Sequence, residues 1–78
     1  MGVYMSETKR ERFIRIAEAR TNKIIDMLRL LGNCSNTSIY DYSESDIKKI
    51  FFAIETELKK CKSKFQENDS KENKFRLR

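Results

Sequence analysis

The segment SESDIKKIFFAIETELKKCKSKF, residues 43–65, decides the fold. Its apolar residues Ile47, Ile50, Phe51, Ile54, Leu58, Cys61 and Phe65 recur at steps of three, one, three, four, three and four. Steps of three and four follow the α-helical period and place these side chains on one face of an amphipathic helix. Ser43-x-x-Asp46 opens the segment as a capping box, and Glu44 and Asp46 sit where the positive helix start favours acids. Lys59, Lys60, Lys62 and Lys64 crowd the opposite, negative end. Glu44–Lys48 and Glu55–Lys59 have the favourable i,i+4 orientation. A helix with such a face needs a partner surface, and residues 8–31 are the other long apolar segment.

That first segment begins Thr8-x-x-Glu11, a second capping box, with Ser6 as a competing cap. It stops at Gly32-Asn33, where glycine permits a left-handed C-terminal cap. On a wheel of about 100° per residue, Phe13, Ala17, Ile24, Leu28 and Leu31 form one face, flanked by Ile14 and Ile25. A second sector mixes Ile16, Met27 and Leu30 with Lys9, Arg12, Arg20 and Lys23. Glu11, Glu18, Asn22, Asp26 and Arg29 make an ordinary solvated face.

Between the helices, NCSNTSIYDY (33–42) is rich in turn-forming Asn and Ser. Ten residues is long for a helix–helix connection, so Ile39 and one tyrosine are expected to fold over the open end of a helical pair. A short extended piece is the alternative. Beyond Phe65, QENDSKENKFRLR has no apolar period and reads as a frayed or disordered basic tail.

These readings predict an all-α fold. Residues 1–7 form an arm, 8–65 an antiparallel two-helix hairpin (helices about 8–31 and 43–65, loop 32–42), and 66–78 the tail. Each helix of a lone hairpin covers only one side of the other, so a homodimer forming a four-helix bundle is expected.

The chain of 78 residues is 37% charged, carries no proline and only two glycines, and has a net charge of +5. The paucity of breakers argues against an all-β fold. The positive charge is spread along both helices and suits an acidic partner or nucleic acid, or simply solubility. Histidine is absent, and Cys34 and Cys61 are too few for an unaided zinc site. The cysteines read as two reduced thiols, Cys61 as a small core residue; a bridge between them or through Cys34 to a second chain is the alternative. No cofactor and no small-molecule substrate are expected. The first ten residues, MGVYMSETKR, lack the apolar core of a signal peptide, and no run suits a membrane helix, so a cytoplasmic location without membrane contact is expected. Gly2 and Ser6 match a myristoylation pattern only superficially.

No phosphate-binding loop or nucleophile elbow is present, and Cys34, the one candidate nucleophile, has no identifiable base. The chain is therefore expected not to be an enzyme. The candidate interaction surface is Lys9, Arg12, Ile16, Arg20, Lys23, Met27 and Leu30, with Phe52. The basic side chains either snorkel over a widened core or rim an exposed apolar site for self-association, another protein or nucleic acid. Phe52 lies about 140° from Ile47 and either marks a contact or tucks under the loop tyrosines. The polar step Arg20-Thr21-Asn22-Lys23 reads as a helix edge hydrogen-bonded to the loop or, alternatively, as a set of phosphate or base donors, although the connection is too long for a helix-turn-helix. Lys74-Phe75-Arg76-Leu77-Arg78 alternates basic and apolar residues and is either solvated or a grip for a phosphate backbone or an acidic protein.

Glu11-Arg12-Phe13, Ile16-Ala17-Glu18, Arg20-Thr21-Asn22-Lys23-Ile24, Leu28-Arg29-Leu30-Leu31-Gly32-Asn33-Cys34-Ser35-Asn36 and Tyr40-Asp41-Tyr42 together resemble a group of small uncharacterised bacterial proteins that occur with mobile genetic elements. The resemblance covers roughly residues 8–65 and supplies no site residues. It implies a cytoplasmic bacterial accessory protein of plasmid, phage or transposon biology. The function expected is a non-catalytic interaction module that self-associates and binds a protein or nucleic acid. The alternatives are a DNA-binding regulator or accessory protein and a purely structural self-assembling protein.

Overall fold

A computed structural model describes the backbone of residues 6–74 and the side chains of residues 6–68. The described residues form two α-helices, α1 (Lys9–Gly32) and α2 (Glu44–Lys74), joined through a 3₁₀ turn at Asn33–Ser35, with no strand. The chain divides into two units, Met1–Tyr40 and Asp41–Arg78, each built on one helix.

In the first unit, Thr8 stands in extended geometry (φ −72°, ψ 165°) and caps α1. The Glu11 amide donates to Thr8 Oγ1 at 3.0 Å, and the Thr8 amide donates to Glu11 Oε1 at 3.0 Å. This reciprocal box satisfies two amides that the helix start otherwise leaves open, and such a cap contributes about 1 kcal/mol. Glu7 adds a second fastening. Arg15 grips its carboxylate with two bonds, Nε to Oε2 at 2.7 Å and Nη2 to Oε1 at 2.8 Å.

The C-terminus of α1 departs from the sequence expectation. Gly32 is right-handed (φ −58°, ψ −29°), and no described residue has a positive φ. The chain winds tighter instead of reversing. The Asn33 amide points at the carbonyls of Arg29, Leu30 and Leu31, so the last carbonyls are met by a 3₁₀ turn rather than a left-handed cap. Asn36 then organises the exit. Its side-chain oxygen accepts from the Ser38 amide at 3.0 Å, and its carbonyl accepts from the amides of Ile39 (3.1 Å) and Tyr40 (2.9 Å). Asparagine can close such a turn because its amide mimics a backbone group. Ile39 is exposed within this unit.

In the second unit, the Asp46 amide donates to Ser43 Oγ at 3.1 Å, and the Ser43 amide donates to Asp46 Oδ2 at 2.9 Å. The sequence-predicted box at this end is formed. The helix then runs to Lys74, nine residues beyond Phe65, so the segment 66–74, expected to be irregular, is helical. Loss of an apolar stripe ends what a helix can bury, not the winding of its backbone, and Gln, Glu and Lys are good helix formers. Residues 1–5 and 75–78, which include most of the expected basic tail end, lie outside the described residues.

Taken unit by unit, no described side chain is fully buried. The apolar stripe of α2 lies on one face as the sequence predicts, with Ile47 and Ile54 half-buried and Phe51, Leu58, Cys61 and Phe65 exposed.

Candidate interaction surface

Seven of the eight candidate residues belong to α1, and its geometry aligns them. Counted at about 100° per residue from Lys9, the side chains of Lys9, Arg12, Ile16, Arg20, Lys23, Met27 and Leu30 fall within an arc of about 80°. They form a strip about 32 Å long at the helical rise. Ile16 is half-buried, while Met27 and Leu30 remain 62% and 57% exposed. Nothing in their own unit covers the two side chains at the C-terminal end of the strip.

The adjoining face carries Phe13, Ala17, Ile24, Leu28 and Leu31 with Ile14 and Ile25, and spans a further arc of about 120°. Arg10 lies on this face, a placement the sequence reading passed over. Its guanidinium stands 5.9 Å from the centre of the Phe13 ring, within cation–π range. A groove of about 350 Å³, open to solvent, runs beside Phe13, Ile14, Ala17, Glu18, Thr21 and Asn22. All six residues belong to one helix, so a small molecule there meets protein on one side only, unlike the enclosing pockets such ligands need.

The charges of the strip differ in their partners. Among the described residues no carboxylate comes within ion-pair distance of Lys9, Arg20 or Lys23. Arg12 approaches Glu7 at 4.0 Å, the limit of an ion pair. Glu7 is bound mainly by Arg15. The hydrogen bond from Arg15 chiefly holds the Glu7 carboxyl below its ordinary value; desolvation opposes it, the charges of Arg15 and Arg12 each add a smaller downward pull, and Arg15 is raised in return. The sequence reading missed this fastening because the two residues are eight apart and Glu7 precedes the helix. An acid just ahead of a cap and an arginine two turns on are its only signal.

On the solvated side, Asp26 and Arg29 approach at 3.9 Å. In α2, Lys60 donates to Glu57 at 3.3 Å. The expected Glu44–Lys48 and Glu55–Lys59 pairs are not closed among the described residues. Exposed pairs of this kind contribute little, and long side chains sample many rotamers.

Phe52, the eighth candidate, belongs to α2, where it is 73% exposed, outside the apolar stripe. Thr56 Oγ1 donates to its carbonyl at 2.7 Å, a local bond that leaves the ring unconstrained. Cys34 lies exposed in the 3₁₀ turn and Cys61 exposed on α2, and neither forms a disulfide among the described residues. Among the described residues no group of three metal-ligating side chains converges. No helix there is long and apolar enough to cross a membrane.

No protein family, curated protein or solved structure matches the chain.

Proposed function

We propose that the chain is a non-catalytic interaction module that self-associates through α1, forming a homodimeric four-helix bundle from two antiparallel hairpins. The exposure of Met27 and Leu30 beside the main apolar face carries this reading. On α1 the apolar and mixed residues together span an arc of about 220°, whereas the α2 stripe from Ile50 to Phe51 spans about 100°. One α2 stripe packed on the Phe13–Leu31 face uses half of what α1 presents. The remaining half, the basic-rimmed strip, needs another surface. A second copy provides one of matching chemistry, because identical helices bury the same sector against each other.

Light scattering of the full chain at tens of micromolar tests the proposal. A mass of two chains is expected, and a single-chain mass overturns it. The resemblance to mobile-element proteins favours an accessory role in such an element, with the module joining a protein or nucleic-acid component of its machinery.

A second reading, a DNA-binding accessory protein, is favoured by Lys9, Arg20 and Lys23, which lack carboxylate partners among the described residues. Neutralising phosphates with these groups releases counterions, so DNA affinity must fall steeply with salt. Failure of DNA to retain the protein at low salt removes this reading.

A further inference from the structure

We propose that α1 of one copy packs in parallel against α2 of a second copy, each α1 residue level with the α2 residue 34 positions later in the sequence. This rests on the self-association proposed above and names the surface that the second copy brings. Matching apolar and charge spacings on the two helices carry it. The α2 stripe Ile47, Ile50, Phe51, Ile54, Leu58, Cys61 and Phe65 has its counterpart on α1 in Phe13, Ile16, Ala17, Arg20, Ile24, Met27 and Leu31. Each position differs by 34, so both stripes step three, one, three, four, three and four.

The borders of the stripes decide the pairing. On each helix three positions flank the stripe at about 70–90° on either side. On α1 these are Arg12, Lys23 and Leu30 on one border and Arg10, Thr21 and Leu28 on the other. On α2 they are Glu44, Glu55 and Lys62, then Asp46, Glu57 and Lys64. Parallel helices packed face to face set opposite-handed borders together. Arg12 then meets Glu44, Lys23 meets Glu55, and Leu30 meets the stem of Lys62. Across the seam Arg10 meets Asp46, Thr21 meets Glu57, and Leu28 meets the stem of Lys64. The members of each pair lie within about 3 Å of one level along the axis. Three acid–base pairs form, and the lysine stems cover leucines while their heads reach water. Arg20, the one charge inside the α1 stripe, comes level with Ile54, and Glu55 and Glu57 lie within about 5 Å of that level. Among the described residues no base comes within ion-pair distance of Glu44 or Glu55, and no carboxylate within that distance of Lys23. Like helices paired in parallel fail where this pair succeeds. Two α1 helices bring Arg10, Arg12 and Lys23 to the same three bases, and two α2 helices bring four acids to four acids, and like-charge juxtaposition suppresses a pairing.

The connection assigns the partner to a second copy. For a chain's own α2 to lie parallel to α1, residues 33–43 would have to run back along α1, about 35 Å. The 3₁₀ turn takes up Asn33–Ser35, and the bonds from the Ile39 and Tyr40 amides to the Asn36 carbonyl close a second turn. The three residues left, 41–43, span only about 10 Å when extended. In the dimer the two α1 helices then share one core, each with the second copy's α2 alongside.

Charge reversal in the full chain tests the pairing by sedimentation equilibrium, with circular dichroism to follow helicity. Arg12→Glu sets acid against acid at both Arg12–Glu44 contacts of a homodimer, and Glu44→Lys sets base against base. Each variant alone should dimerise about tenfold more weakly than the wild type. An equimolar mixture of the two variants recreates an opposite-charge pair at both contacts of the mixed dimer, and wild-type affinity is expected. A mixture that associates no better than its components, with the wild type dimeric, overturns the pairing and leaves self-association standing. Single variants that dimerise as tightly as the wild type overturn it likewise. A monomeric wild type overturns both proposals.

Discussion

Replacing Met27 and Leu30 together by alanine removes the two exposed apolar side chains of the strip. Alanine is the best helix former, so α1 itself should persist. Full burial of a Met or Leu side chain contributes about 1.5–3 kcal/mol. In the free unit 62% of Met27 and 57% of Leu30 is still exposed, so an interface has roughly 1–1.8 kcal/mol left to gain from each. Two copies bring four such side chains, or about 4–7 kcal/mol, of which alanine's retained methyl keeps a part. The double substitution should therefore weaken dimerisation by about 3–5 kcal/mol, a rise in Kd of roughly a hundredfold to a few thousandfold. Isothermal dilution calorimetry of the wild-type and M27A/L30A chains measures this directly, with far-ultraviolet circular dichroism to confirm that helicity is kept. Equal dissociation constants with equal helicity would show that the strip contributes nothing to association.

Two further predictions concern the ends of α1. Glu7 titrates below its ordinary value of 4.5 because Arg15 bonds its ionised form; the stabilisation is therefore fully present above that value and fades as pH falls through the lowered one. Protection of the first-turn amides of α1, measured as exchange relative to the intrinsic rate at each pH, should fall on acidification in the wild type, and E7Q should show lower protection at neutral pH and lose the Glu7-dependent part of that change; an unaltered profile in E7Q removes the fastening. At the other end, Gly32 is right-handed and a Cβ there meets nothing within 4 Å, so Gly32→Ala should stabilise α1 by about 0.5–1 kcal/mol. A rise in helicity and thermal midpoint supports the right-handed exit, whereas a loss would show that a left-handed cap forms in solution.

Local patterns proved the most legible part of the chain. Thr8-x-x-Glu11 and Ser43-x-x-Asp46 both close as reciprocal caps, because a capping box needs only residues three apart. The all-helical class followed from apolar spacing for the same reason. The expected left-handed turn at Gly32 did not form. Glycine permits that conformation without requiring it, and the amides of Asn33 and Asn36 supplied a tighter right-handed exit. The reach of α2 to Lys74 was hidden because apolar periodicity reports burial, while helix winding depends on backbone propensity as well. The strip's alignment was legible from spacing alone. The Glu7–Arg15 fastening was not, since it joins a residue outside the helix to one two turns within it.

In the proposed dimer a second copy of the chain covers the strip from Lys9 to Leu30. Sedimentation equilibrium of the unmodified protein across low to tens of micromolar concentrations tests it most directly. A reversible monomer–dimer equilibrium that M27A/L30A shifts to monomer is the predicted result. A single-chain mass throughout the range contradicts it.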